Sequence, residues 1–189
     1  MCYSALVRQD IHELARRYGA EIAYEMFAEV FRRRFDGDDI KATRALEQNF
    51  VNPKSEIEQK IAADIAAYRA SQVSKWEKDL FIQKKRLADA ERGLQTKETK
   101  KAREHVRIAT SKIENYLERL SDAKRTQADE ERDNRIFPMV YAPVIANIGG
   151  RLQVAPMRYT CRLAGKPANY DVRYPGTYNS FSAFLTVSS

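Results

Sequence analysis

The sequence predicts an α+β fold: short N-terminal helices, then a long antiparallel helical hairpin as an insertion, then short strands. Three observations carry this. Apolar residues recur at helical spacing in two short runs before residue 36. A heptad-like apolar seam extends from about residue 57 to 120, with polar gaps at Gln72 and Gln83 and a break near Gly93. After residue 135 the composition changes, and residues 136–179 hold five of the six prolines among β-branched and aromatic residues.

Taken in order, "DIHELARRY" at 10–18 predicts a helix that Asp10 caps and Gly19 ends. "EIAYEMFAEVFRRRF" at 21–35 places Ile22, Met26, Phe27, Val30 and Phe31 on one helical face and stops at "DGDD". A loop is expected to follow, closing at "NPKS". Ser55 then reads as an N-cap with Glu58 as its capping-box partner. Ile57, Ile61, Ile65, Tyr68, Trp76, Leu80, Leu87, Ala90 and Leu94 form the first arm of the seam. Gly93 and "QTKET" should break it. Ala102, Val106, Ala109, Ile113, Tyr116 or Leu117, and Leu120 form the second arm, which predicts a hairpin over about 55–128 with its turn near 93–99. "FPMVYAPVIA", "NIGG" and "RLQVAPMRYTCRL" read as two strands around a tight Asn/Gly turn, with their prolines marking edge strands or bulges. "GKPANYDVRYPGTYN" reads as loop. The expected divisions are 1–54, 55–135 and 136–189.

The 189 residues carry a net charge of +7, which points toward a polyanionic partner, most often nucleic acid. The positive excess lies in residues 75–125, with fifteen basic and nine acidic residues, and in 151–189, with five and one. No apolar run approaches a membrane span, and the first twenty residues lack a secretory signal. No P-loop, Rossmann glycine pattern or Gly-x-Ser-x-Gly elbow is present. Two distant cysteines make neither a disulfide framework nor a zinc pattern, so a reducing, cytosolic compartment is expected and no metal or other cofactor. His12 and His105 read as surface residues, and Cys161 as a small apolar strand residue.

That leaves Cys2. Once Met1 is removed, its α-amine and thiol sit on adjacent carbons, a pairing that no internal cysteine has.

"MCYSA" at the start, "YAPV" and "PMRYTCRLAGKP", and "YPGTYN" near the end together resemble the SRAP family, also called SOS response-associated peptidases or abasic-site processing proteins. The branch resembled is bacterial and has a long helical insertion. The resemblance implies an SRAP-like mixed sheet. It also implies a reaction: the N-terminal cysteine closes a thiazolidine on the ring-opened aldehyde of an abasic site in single-stranded DNA. Cys2 and Asn179 would be catalytic, with Asn179 positioning the sugar. Arg158, Arg162, Lys166 and Arg173 are candidates for holding the strand. The implied location is the bacterial cytoplasm, at the nucleoid, in the DNA damage response. A protein partner or self-association through the hairpin stays open.

The sequence departs from the family at Tyr3-Ser4, where many relatives have Gly-Arg, and at Phe181, where an arginine is usual. The family's glutamate and histidine have no counterpart, so the chain is expected to lack the C-terminal half of the domain. Two alternatives remain. One is an inactive remnant that binds nucleic acid or protein through its coiled-coil arm. The other is an N-terminal-cysteine amidotransferase, whose usual Gly-Ile after the cysteine is absent.

Overall fold

The computed structural model describes residues 4–125, 130–160, 165–167 and 170–173. It is α+β with a long helix and a mixed sheet, and it divides into two units: Met1–Asp64 with Asp129–Ser189, and Ile65–Ala128.

In the first unit, strand β1 (Ala5–Leu6) is followed by helix α1 (Ile11–Tyr18). Asp10 caps α1 by accepting from the Glu13 N–H at 2.8 Å, and Gly19 ends it in the left-handed region at φ 62°, both as the sequence indicates. The next segment differs from expectation. Glu21–Ile22 is strand β2, and helix α2 runs only over Tyr24–Phe35. Ile22 fits the helical period, but it pairs in parallel with Val154, and the Ala23 N–H donates to the Val154 carbonyl at 3.0 Å. Pairing with a distant strand overrides the local pattern.

The expected loop after α2 holds strand β3 (Lys41–Ala42) and helix α3 (Arg44–Gln48), capped by Thr43. The core gathers around Phe50, whose ring lies 5.6 Å from Phe27 and 5.7 Å from Phe31. Ile11, Leu46, Ile61 and Val154 are fully buried with them. Arg34 on α2 forms a buried ion pair with Glu47 on α3 at 2.5 Å.

Helix α4 (Glu56–Thr96) begins with the capping box as read: Glu58 N–H donates to Ser55 Oγ and Ser55 N–H to the Glu58 carboxylate, each at 3.3 Å. It passes straight through Gly93, whose carbonyl accepts from the Lys97 N–H at 2.9 Å. One glycine costs a helix only about 1 kcal/mol, too little to end a seam-packed arm. Thr99 caps helix α5 (Lys100–Lys124), so the link between the arms is residues 97–99. Within this second unit the arms run antiparallel, with the Arg119 guanidinium 5.9 Å from the Trp76 ring and Arg86 beside Glu104. Ala90, Ala109 and Leu120 are buried along the seam.

Back in the first unit, helix α6 (Glu130–Asn134) leads into strand β4 (Arg135–Ile136), which pairs antiparallel with β1. Strands β5 (Val140–Ile148) and β6 (Arg151–Arg158) form the long antiparallel hairpin. Its turn is Gly149-Gly150, with φ 60° and 82°, a type I′ requirement, and Asn147 lies inside the ladder opposite Leu152. The four-stranded sheet has the order β2-β6-β5-β3. The proline-bearing strands are therefore central, against expectation. Pro143 faces Pro156 across the ladder. Two prolines can oppose each other only where neither N–H is needed by the partner strand. The flanking strands are two residues long and pair at 140–141 and 153–154, clear of both prolines.

Candidate functional site

The chain that leaves Cys2 is anchored residue by residue into the first unit. Arg135 Nη1 donates to Ser4 Oγ at 3.1 Å while Nη2 donates to Glu131 at 2.5 Å. Ala5 and Leu6 pair with Ile136 and Arg135, and the Val7 N–H donates to the Asn134 carbonyl at 3.1 Å. Gln9 is buried, and its side-chain oxygen accepts from the Thr43 hydroxyl at 2.6 Å. Asn49 completes the anchor: its amide donates to the Gln9 carbonyl at 2.8 Å and its oxygen accepts from the Ile11 N–H at 3.0 Å.

Arg135 belongs to a short stretch that also closes the sheet. Residues Phe137 to Val140 form a turn, with the Val140 N–H donating to the Phe137 carbonyl at 3.1 Å and Pro138 second in the turn. Met139, third, has φ 74°, the left-handed conformation of a type II turn. The Met139 N–H donates to the Tyr159 carbonyl and the Tyr159 N–H to the Val140 carbonyl, each at 2.8 Å, so two residues oppose one. This is a bulge of the glycine type, formed on methionine.

The sequence-derived candidates fall as follows. Cys2, Arg162 and Asn179 lie outside the described residues, as does Cys161. Arg158 ends β6, half-buried, opposite Tyr141 in the register. Lys166 is exposed, its ammonium 5.5 Å from the Tyr170 ring. Tyr170 opens the short helix α7 (Tyr170–Arg173), and Arg173 ends it, exposed. The structure thus brings Lys166 onto Tyr170 and sets Arg158 on the strand ladder. Of the histidines, His12 is exposed as read, whereas His105 is half-buried. His105 lines a groove of about 470 Å³ within the second unit, together with Lys85, Arg86 and Lys101.

Arg135, Gln9, Asn49 and Met139 escaped sequence reasoning. Each matters through a partner more than thirty residues away or through a backbone angle, and neither leaves a local pattern. Only Pro138, a favoured second residue of a type II turn, signalled the turn.

One acid–base cluster lies where α4 begins, around the buried Glu58. Glu58 accepts from the N–H groups of Lys54, at 2.5 Å, and Ser55, and the Tyr24 hydroxyl hydrogen-bonds it as well. Burial raises the Glu58 carboxyl, but these donors and nearby His12 outweigh it and hold the group below its usual range. Burial, the hydrogen bond to Glu58 and the Glu58 charge push the Tyr24 hydroxyl up to about 12. The cluster holds the start of α4 to α2.

Among the described residues, no group of three or more His, Cys, Asp or Glu side chains is placed to hold a metal, and no helix is long and apolar enough to cross a membrane. No family model, curated protein or solved structure matches the chain.

Proposed function

We propose that this chain is an abasic-site processing protein of the SRAP type, acting on single-stranded DNA from the bacterial cytoplasm. The observation that carries the reading is the anchoring of residues 4–11, in which the Ser4 hydroxyl, two residues downstream of Cys2, is held by Arg135 and the backbone pairs with β4 from Ala5 onward. A terminal nucleophile gains rate only if it is held where the aldehyde arrives.

In this reading the Cys2 amine condenses with the sugar aldehyde and releases one water. The thiolate then adds to the imine carbon, and a proton passes to the nitrogen, closing the thiazolidine. Asn179 orients the sugar. Arg158, Arg162, Lys166 and Arg173 hold phosphates, and Tyr170, already stacked under Lys166, offers a face to a base. Cationic surroundings favour the thiolate.

The test is an intact-mass measurement after incubation with a single strand bearing one abasic site. The expected product is protein plus strand minus water, formed only when Met1 has been removed and lost in Cys2→Ser. A parent that gives no adduct with Met1 demonstrably absent, or a Cys2→Ser chain that crosslinks equally well, rejects the proposal.

A further inference from the structure

The charge of the molecule is concentrated in one unit. Residues 65–128 hold sixteen Lys and Arg against nine Asp and Glu, and the remaining residues hold seventeen of each, so the whole net +7 belongs to the helical hairpin. Arginines there are largely engaged: Arg92 with Asp89, Arg103 with Glu98, Arg107 with Glu104, and Arg119 over Trp76. Lysines are not. Lys78, Lys84 and Lys85 are exposed, and among the described residues none of them meets a carboxylate.

Those three lysines border the most exposed large apolar side chain among the described residues. Phe81 is 72% exposed. At 100° per residue it points well away from the seam direction of Trp76, Leu80 and Leu87, and its helical neighbours one turn away are Glu77, Lys78, Lys84 and Lys85, three cations to one carboxylate. A bare aromatic face bordered by three lysines and one glutamate carries a net positive charge and is poorly suited to the same face of a second copy, since two surfaces of the same net charge would meet. It is well suited to a ligand that is both flat-faced and anionic.

We propose that this strip of α4 is a docking surface for single-stranded nucleic acid: Phe81 stacks an unpaired base while Lys78, Lys84 and Lys85 contact the flanking phosphates. Lys85 also borders the groove lined by Arg86, Lys101 and His105, which gives the backbone a cationic continuation. The surface needs neither Cys2 nor an abasic site, so it stands independently of the proposed function.

The test uses a dye-labelled oligothymidylate, undamaged and therefore without an aldehyde, titrated against the full chain by fluorescence anisotropy over a range of salt. Phe81→Ala should weaken binding about five- to a hundredfold, the range for losing one stacked base, and Phe81→Tyr should restore it. The triple change Lys78→Gln, Lys84→Gln, Lys85→Gln should reduce the slope of log affinity against log salt by about 2, at ~0.7 per phosphate contact on a single strand. All four side chains are exposed, so helicity by circular dichroism should not change. Unchanged affinity in Phe81→Ala overturns the proposal whatever the lysines do. So does an equal loss on blunt duplex, which offers no base to stack, or a dimer in sedimentation velocity that Phe81→Ala dissolves.

Discussion

Met139 holds a backbone angle that favours glycine in two ways at once, as third residue of a type II turn and as first residue of the bulge. A side chain in the left-handed region costs roughly 1–2 kcal/mol. That cost is borne four residues from Arg135, the group that holds Ser4. Met139→Gly should therefore leave stability unchanged or raise it by up to about 1 kcal/mol, the lost methionine contacts offsetting part of the relief. Met139→Val should lower it by about 1–2 kcal/mol, because branching at Cβ makes the angle worse. Denaturant midpoints decide it; a Gly variant less stable than the Val variant would show that methionine's packing, not its angle, governs the site.

At the scale of elements, the start of α4 carries its own pH response. Glu58 titrates below its ordinary 4.5 in the folded chain, so the stability it contributes is present above that value and disappears as pH falls through the folded one. Tyr24 runs the other way. Its hydroxyl is raised from 10.0 to about 12, so the unfolded chain releases the proton first and stability falls as pH climbs between them. Glu58→Gln should flatten the acid limb of a stability–pH curve, and Tyr24→Phe the alkaline limb; variants whose curves run parallel to the parent's would remove Glu58 and Tyr24 from the account. Glu58 was legible in sequence, as were Asp10 and Gly19, because a cap is a dialogue between residues three or four apart. Strands β2 and β3 were not. Each is two residues long, and its partner lies about a hundred residues or more away. The prolines misled for a related reason: an edge is a property of each position, and β5 and β6 are flanked at some residues and bare at Pro143 and Pro156. Of the site, Arg158, Lys166 and Arg173 were named from sequence but the contact of Lys166 with Tyr170 was not, and the anchor of residues 4–11 rests on side-chain hydrogen bonds that no pattern announces.

For the molecule as a whole, the antiparallel arms have a consequence for the order of assembly. Ala42 must find Tyr141, and Ile22 must find Val154. Most of the intervening chain is α4 and α5, whose contacts are local and form early. Once the arms are zipped, the span between β3 and β5 behaves as a tether of about thirty residues rather than nearly a hundred, which lowers the closure entropy by about 1 kcal/mol. Breaking the second arm with Ala109→Pro, at a fully buried seam position, should therefore slow acquisition of amide protection at Val154 about fivefold in pulse-labelled refolding, although residue 109 belongs to the other unit. An unchanged rate would mean that the sheet closes before the arms do. The insertion that most lengthens the chain is then also what shortens the search for its sheet: a splint that folds first and delivers the two halves of the domain to each other.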